Sequence, residues 1–370
     1  MRILLSTHHF LGYSGTEIYV ITLIRKLLEN NHQVVFYSKY LSSIADDLKG
    51  IPNLIVTDNL SSISNYNFDI IHTSHNINVV ELKHYFPNTP LIFQSHGVKP
   101  FLEQAPVFFQ NIDKYIAVSE FVKNNLIKKG VNSTSIGLIR NIVDEKLFYP
   151  LNEVHTKPKK ALIFSNYNDS KKDNCLIKAC RQKNIKFNFV GGVYGQVRNE
   201  ELNKVLNQYD LIFTSGRGAM ESLLSGRVTI IINSRNMGKI VTPRTFKKMI
   251  KGNLTGNCYH QRITIKHIIK EIEKYNSKYC HKLIDLTKKY YGANQNISKL
   301  INTYQKAIEA HQSKPFDQIL NDYIFETINT VRNYDKLDYF QTKQELEIIK
   351  KSKMYYIYKL YRKIKNKIKI

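Results

Sequence analysis

Short apolar runs alternate along this 370-residue chain with longer stretches whose apolar positions recur at helical spacing. Residues 2–6 (RILLS) predict a strand, and a turn-rich loop, FLGYSG (10–15), follows. Across 16–31, Ile18, Ile21, Leu23, Ile24, Leu27 and Leu28 share one helical face with the charges opposite. QVVFYS (33–38), LIVTD (54–58), FDIIHTS (68–74), PLIFQSH (90–96), KYIAVS (114–119) and IGLIRN (136–141) predict further strands. Residues 119–130 predict a helix capped by Ser119 and stopped by Gly130. Strand and helix in this rhythm imply parallel pairing and a doubly wound α/β sheet.

The rhythm breaks after Pro150, where 151–160 predict a polar, basic linker, and then restarts. ALIFSN (161–166), FNFVGG (187–192), DLIFTS (210–215) and VTIIIN (228–233) read as strands, with helices near 173–182, 199–207 and 218–226. From about 262 the pattern is helical, over 263–275, 278–291 and 296–310. The expected architecture is α/β. Two Rossmann-like doubly wound domains, 1–150 and 151–310, face a cleft, and a helical extension, 311–370, ends in a basic amphipathic tail.

Composition adds exclusions. With 42% apolar and 23% charged residues the chain reads as soluble and globular. No stretch approaches the ~20 apolar residues of a transmembrane helix, and MRILLSTHHF lacks the apolar region of a secretory signal. Cys175, Cys180, Cys258 and Cys280 form no Cys-x-x-Cys pair, which speaks against a zinc ribbon or disulfide scaffold and fits a reducing cytosol. The net charge of +25 is uneven: +1 over 1–150, +16 over 151–340 and +8 over 341–370. A polyanion, a phosphorylated substrate or an anionic membrane all suit such a chain. Residues 350–370 carry nine Lys/Arg and no acid, with Met354, Ile357, Tyr358, Tyr361, Ile364 and Ile368 at helical spacing. That division suits an anionic membrane interface. A solvated or coiled-coil tail, compositional bias and nucleic-acid contact are the alternatives.

Doubly wound sheets bind ligands beyond the carboxyl ends of their strands. There stand Gly12-Tyr13-Ser14-Gly15 before the first helix, then His72, His75 and His96, histidines that could bind a ligand or donate a proton. In the second half come Asn166, Lys171 and Lys172 at a helix start, Gly191 after a strand, and Ser215-Gly216-Arg217-Gly218 before a helix carrying Glu221. Small residues running into a helix N-terminus expose backbone N–H groups, and Arg217 adds charge, which makes a diphosphate cradle. A carboxylate one turn in can accept hydrogen bonds from ribose. Each feature also has a plainer reading: a strand–helix turn, a strand-cap histidine, a solvated basic loop, an exposed Glu221. No third ligand stands at metal spacing, and no Asp-x-Asp occurs.

These segments, in this order, resemble the retaining GT-B glycosyltransferases of family 4, over residues 1 to about 240 with the later helices plausibly included. GYSGTEIYV resembles the opening glycine loop, Asn31-His32-Gln33-Val34 the start of the second strand, and FDIIHTSH the "D-(I/V)-(I/V)-H-x-H" segment. Ser119, Glu120, Asn141, Asp144, Phe148 and Pro150 fall on "VSE" and "PNGVD…F.P", His96 on the active-site histidine, and Glu221 on the second Glu of the Glu–seven–Glu motif. The chain departs at Phe213, where the first Glu would stand, at Ile142 for the Gly of Asn-Gly, and at Asn166 for the strand-end Arg, whose partner Lys maps to Lys171.

The resemblance implies a metal-independent hexosyltransferase of bacterial surface glycan assembly, lipopolysaccharide or capsule, with retention of configuration. Its donor would be a nucleotide sugar such as a UDP-sugar and its acceptor a glycan or lipid-linked chain. The implied catalytic residues are His96, Lys171 and Glu221. The implied donor site is Gly15, Asn166, Lys171, Gly191, Ser215, Gly216, Arg217, Gly218 and Glu221, with Arg217 substituting for the missing Arg. No cofactor and no nucleic acid are expected, and the expected place is the cytoplasm, at the inner face of the cell membrane. The alternatives are a non-catalytic GT-B-like subunit and a basic polyanion- or nucleic-acid-binding protein.

Overall fold

The computed structural model describes residues 1–312 apart from 107–110, 167–168, 196 and 260, together with 324–326 and 328–329. Contacts divide the chain into Met1–Lys314 and Pro315–Ile370. The tail at 350–370 and most of the expected helical extension lie outside the described residues.

Seven strands form the first sheet: β1 (Arg2–Phe10), β2 (Gln33–Leu41), β3 (Leu54–Thr57), β4 (Ile70–Thr73), β5 (Leu91–Ser95), β6 (Lys114–Ala117) and β7 (Ile136–Leu138). Their order is β3-β2-β1-β4-β5-β6-β7, all parallel. The helices α1 (Gly15–Glu29), α2 (Asn76–Tyr85) and α3 (Glu120–Lys128) follow β1, β4 and β6. A parallel sheet is covered on both faces, so its central strands read as continuous apolar runs, and β4 and β5 are buried throughout.

The second sheet holds β8 (Lys160–Phe164), β9 (Lys186–Val190), β10 (Leu211–Thr214), β11 (Val228–Ile232) and β12 (Met237–Ile240) in the order β12-β11-β10-β8-β9. It is parallel except for β12, which runs antiparallel to β11. Around it lie α4 (Ser170–Gln182), α5 (Asn199–Leu206), α6 (Arg217–Leu224), α7 (Pro243–Met249), α8 (Ile265–Ile272) and α9 (Cys280–Tyr291), and α10 (Ala293–Ala310) follows. No helix of the described residues is long and apolar enough to cross a membrane.

The expected α/β architecture of two doubly wound sheets is present, with three differences. First, β1 runs four residues past RILLS, because His9 and Phe10 keep pairing with Tyr40 and Leu41 of β2. Second, α2, β12 and α7 were not read from the sequence. NINVVELKHY has no clean apolar face, and MGKI forms a strand only by packing Gly238 against Ile231, where a Cβ would stand 2.9 Å from the Ile231 Cβ.

Third, α10 does not stay with the second sheet, as the expected 151–310 boundary has it. The chain leaves the first half through Ile139–Val143 and returns beside that crossing. The Val143 N–H donates to the Tyr291 carbonyl at 2.9 Å and the Ala293 N–H to the Val143 carbonyl at 3.1 Å. From there Ile297, Leu300, Tyr304 and Ala307 join the core of Ile3, Leu5, Ile24 and Leu27. Those four recur three or four residues apart, one apolar stripe of a helix, which this core covers.

The docking of α10 is keyed by a polar contact. The buried Tyr304 hydroxyl lies 2.5 Å from Nδ1 of His72, in the middle of β4. Tyr304→Phe should cost about 1–3 kcal/mol, the desolvation left by an orphaned partner. Tyr304→Ala should cost about 3–5 kcal/mol for the lost ring and its cavity. Urea unfolding of the full chain measures both; a Tyr304→Ala effect under ~1 kcal/mol would mean that α10 is not part of this core.

Candidate active site

In an open doubly wound sheet the ligand crevice opens where strand order reverses. That point falls between β1 and β4 in the first sheet and between β8 and β10 in the second. The loops leaving these strands face each other and line a cleft of about 600 Å³, the size of a small-molecule site. The walls touch: the Asn166 side-chain amide donates to the Tyr13 carbonyl at 3.0 Å.

On the second-half wall, β10 ends in Ser215 and Gly216, and Gly216 takes a φ of +61°, turning the chain into α6. Its N–H donates to the Leu254 carbonyl at 2.9 Å. The N–H groups of Arg217 and Gly218, first in the helix, find no acceptor among the described residues and line the cleft at the positive end of α6. Gly218 lets this turn sit on its strands, since a Cβ there would lie 2.5 Å from Thr214 Oγ1 and 2.9 Å from the Phe164 ring. Gly191 is needed twice over. Its φ is +98°, and a Cβ would stand 2.7 Å from the Ser165 carbonyl oxygen and 2.8 Å from Asn166 Oδ1. Gly15, by contrast, opens α1 in an ordinary conformation with open space around its Cβ position, so it shapes the cleft and does not make the turn.

Arg217 is not the free phosphate-binding cation expected of it. Its guanidinium is buried and donates to Glu221 Oε1 at 2.6 Å, to the Ile142 carbonyl at 2.9 Å and to Thr22 Oγ1 at 3.0 Å. One side chain thus ties α6 to the interdomain crossing and to α1. Glu221 is buried beside it with its carboxylate on the cleft, so the plainer reading of an exposed Glu221 is also set aside. Phe213 is fully buried in β10, a position that no ligand reaches.

The lysine expectation shifts by one residue. Asp169 caps α4 by accepting from the Lys172 N–H at 2.9 Å. Lys171 is exposed and does not line the cleft, because one residue along a helix turns a side chain by about 100°. Lys172 is the buried one, with Nζ 3.3 Å from Ser165 Oγ, so it supports the cleft wall from behind Ser165.

The first-half wall carries histidines. His96 stands at the end of β5 with the Tyr19 ring edge-on at 4.7 Å and Ser74 Oγ 3.3 Å from Nε2. Burial, with the Arg217 charge adding to it, pushes it down to about 4, so at pH 7 it is neutral. His75 accepts from the His8 N–H at Nδ1, 2.8 Å away, stacks on His9, and is held by burial at about 3. His72 takes no part in the cleft.

Two residues on this wall escaped the sequence reading. Asn141, named there only as a motif position, lines the cleft beside His96 with its Oδ1 buried. Glu103 ends a short turn, Phe101–Glu103, that is fixed by Ser95 Oγ donating to the Glu103 carbonyl and by the Asn76 amide donating to the Phe101 carbonyl, both at 2.8 Å. Its carboxyl group leans on Gly97, and burial together with the Glu17 charge raises it to about 7. No motif flags Glu103; its proximity to Glu17 is purely tertiary.

Residues 13–147 match the sequence model of the family described as Glycosyltransferase Family 4. Comparison with curated proteins finds no significant match. Among solved structures, a glycosyltransferase from Rickettsia africae aligns with a TM-score of 0.65 at 16% identity, covering 84% of this chain and 99% of that one. Anabaena HepE in complex with UDP-glucose aligns at 0.60 and 12% identity, over 83% and 100%. The lipopolysaccharide outer core galactosyltransferase WaaB aligns at 0.52 and 14%, over 82% and 99%. The fold is that of the GT-B glycosyltransferases, and the resemblance to family 4 holds over the first half.

Because Arg217 and Glu221 compensate each other in a buried place, Glu221→Ala should destabilise the chain by about 3–5 kcal/mol. Lys171→Ala, on the surface, should stay within about 0.5 kcal/mol. Denaturant midpoints compare the two, and equal effects would contradict the clamp.

The wall also titrates in two directions. The folded value of Glu103 lies above its unfolded one, so the stability it contributes is complete below about 4.5 and is lost as pH rises through about 7. His96 and His75 lie below theirs, so their contribution is complete above about 6.5 and lost as pH falls towards 4 and 3. Glu103→Gln should therefore raise the Tm relative to the unaltered chain at pH 8 and by much less at pH 5, as differential scanning fluorimetry would show.

Proposed function

We propose that this protein is a glycosyltransferase that moves a hexosyl group from a nucleotide sugar such as a UDP-sugar to a glycan or lipid-linked acceptor, with retention of configuration and without a metal. The observation that carries the reading is the pair of opposed strand-order reversals. On one side they present the unpaired Arg217 and Gly218 amides with Glu221 one helical turn in, and on the other a row of neutral histidines. The match of residues 13–147 to the family model and the UDP-glucose complex of the HepE neighbour support it.

The nucleoside diphosphate would lie against the second half. Its ribose hydroxyls donate to Glu221, whose Oε1 is already oriented by Arg217. The Arg217 and Gly218 amides and the positive pole of α6 favour the charge that grows on the leaving diphosphate as the anomeric C–O bond breaks. Fixed dipoles of this kind do the work that a bridging cation would otherwise supply. Lys172, through Ser165, stiffens the same wall. His96 and Asn141 supply hydrogen bonds to the sugar, and the acceptor hydroxyl approaches from the first half, passing its proton to the leaving diphosphate oxygen as its own oxygen bonds to the anomeric carbon. On the wall that receives it, His75 and His96 are neutral at pH 7. Lipopolysaccharide or capsule assembly is the bacterial setting that fits a lipid-linked acceptor.

UDP should raise the Tm of the full chain by several degrees at saturating concentration, and EDTA should leave that shift intact. In a panel of UDP-sugars, Glu221→Gln should lower kcat/KM for the accepted donor at least ~10-fold, read as UDP release. A UDP shift abolished by EDTA would refute metal independence, and no shift from any nucleoside diphosphate would refute the donor site.

A further inference from the structure

The charge of the second half is concentrated. Residues 222–270 contain ten Lys/Arg and not one Asp or Glu. Four of these cations, Arg244, Lys247, Lys248 and Lys251, recur at i, i+3, i+4 and i+7 along α7 and the turn that continues it, so they share one face, and all four are exposed. Among the described residues none is in an ion pair. The nearby carboxylate of Glu120 is already taken by Arg140 at 2.7 Å. Like charges at this spacing repel, so the fold carries them at a cost and without an internal counter-charge.

The same face has apolar ground between its cations. Phe121, at the start of α3, lies over Gly252 and lines an open groove with the four cations and Cys258. Lys128, seven residues on from Phe121 and so on the same side of the helix, is exposed too. The four cations span seven residues of helix, roughly 10 Å, a row longer than a single phosphate.

We infer that the face made by α7, its continuing turn and the start of α3 docks on an anionic phospholipid surface. Spread cations meet many headgroup phosphates there, and Phe121 enters the boundary beneath them. Three of the four cations are lysines, compact ammonium charges and not planar guanidinium groups that stack on bases, which favours lipid over nucleic acid. The segment that carries Lys251 also holds the active-site loop, since Leu254 accepts from the Gly216 N–H. Docking would therefore set the cleft close to the bilayer. The inference does not need the transferase reading: vesicle binding can hold where UDP binding fails, and the reverse.

The test is flotation of the full chain with vesicles of phosphatidylglycerol and phosphatidylcholine, 3:7, against phosphatidylcholine alone. The face variant is Arg244→Glu with Lys247→Glu and Lys251→Glu; Lys248 is kept because it lies over the Tyr259 ring. The control, Arg262→Glu with Lys266→Glu and Lys270→Glu, changes net charge equally on exposed residues off this face. The face variant should lose at least ~30-fold in partitioning to the anionic vesicles, with each cation worth about fivefold, and the control much less. The glutamine triple variant should fall in between, which covers any folding failure of the charge reversal. Equal losses in face and control variants, unchanged binding of the face variant, or no preference of the unaltered chain for anionic vesicles would overturn the inference. So would tighter binding of a single-stranded 30-mer through the same residues.

Discussion

A guanidinium keeps its charge in any protein interior, so burying Arg217 obliges the structure to surround it with acceptors. Those acceptors come from three places: Glu221 on its own helix, the Ile142 carbonyl on the crossing between the halves, and the Thr22 hydroxyl on α1. Satisfying this buried cation ties the two halves together, and the carboxylate that completes the arrangement is the one that lines the cleft.

Arg140 acts in the same way at the other end of the crossing. Its guanidinium donates to the Ile250 carbonyl and to Glu120, both at 2.7 Å, with the Tyr290 ring 5.7 Å away. Between these two arginines the outgoing segment at Val143 and the returning chain at Tyr291–Ala293 bond to each other. The crossings are thereby adjacent, and the cleft walls are held from a narrow seam.

The two walls differ in their electrostatics. The second-half wall offers amides and a helix pole suited to an anion. The first-half wall is made of ionisable groups whose charge burial suppresses: His75 and His96 stay neutral at pH 7, and Glu103 titrates near it. That division follows the sequence, in which residues 1–150 are nearly neutral and the basic excess begins afterwards. A charged donor and an uncharged sugar acceptor would each find a wall of the matching kind.

Local pattern determined much of this protein. The β-branched runs and the helical stripe of α1 specify parallel strands covered by helices, and Ser215-Gly216-Arg217-Gly218 announces a turn whose glycines have no substitute, because φ at Gly216 and crowding at Gly218 are properties of a strand running straight into a helix. Partners across the fold were beyond its reach. Arg217 looks like a free cation until Thr22 and Ile142, 195 and 75 residues away, are seen to claim it. Lys171 and Lys172 are equivalent in sequence and are separated only by the rotation of α4 against its sheet. Tyr304 and His72 lie 232 residues apart, and α10 returns to the first half, whose core covers its apolar stripe. Spacing records the periodicity of one element, whereas burial, which decides the charge state of His96 and Glu103 and the partners of Arg217, belongs to whatever the other elements bring to it.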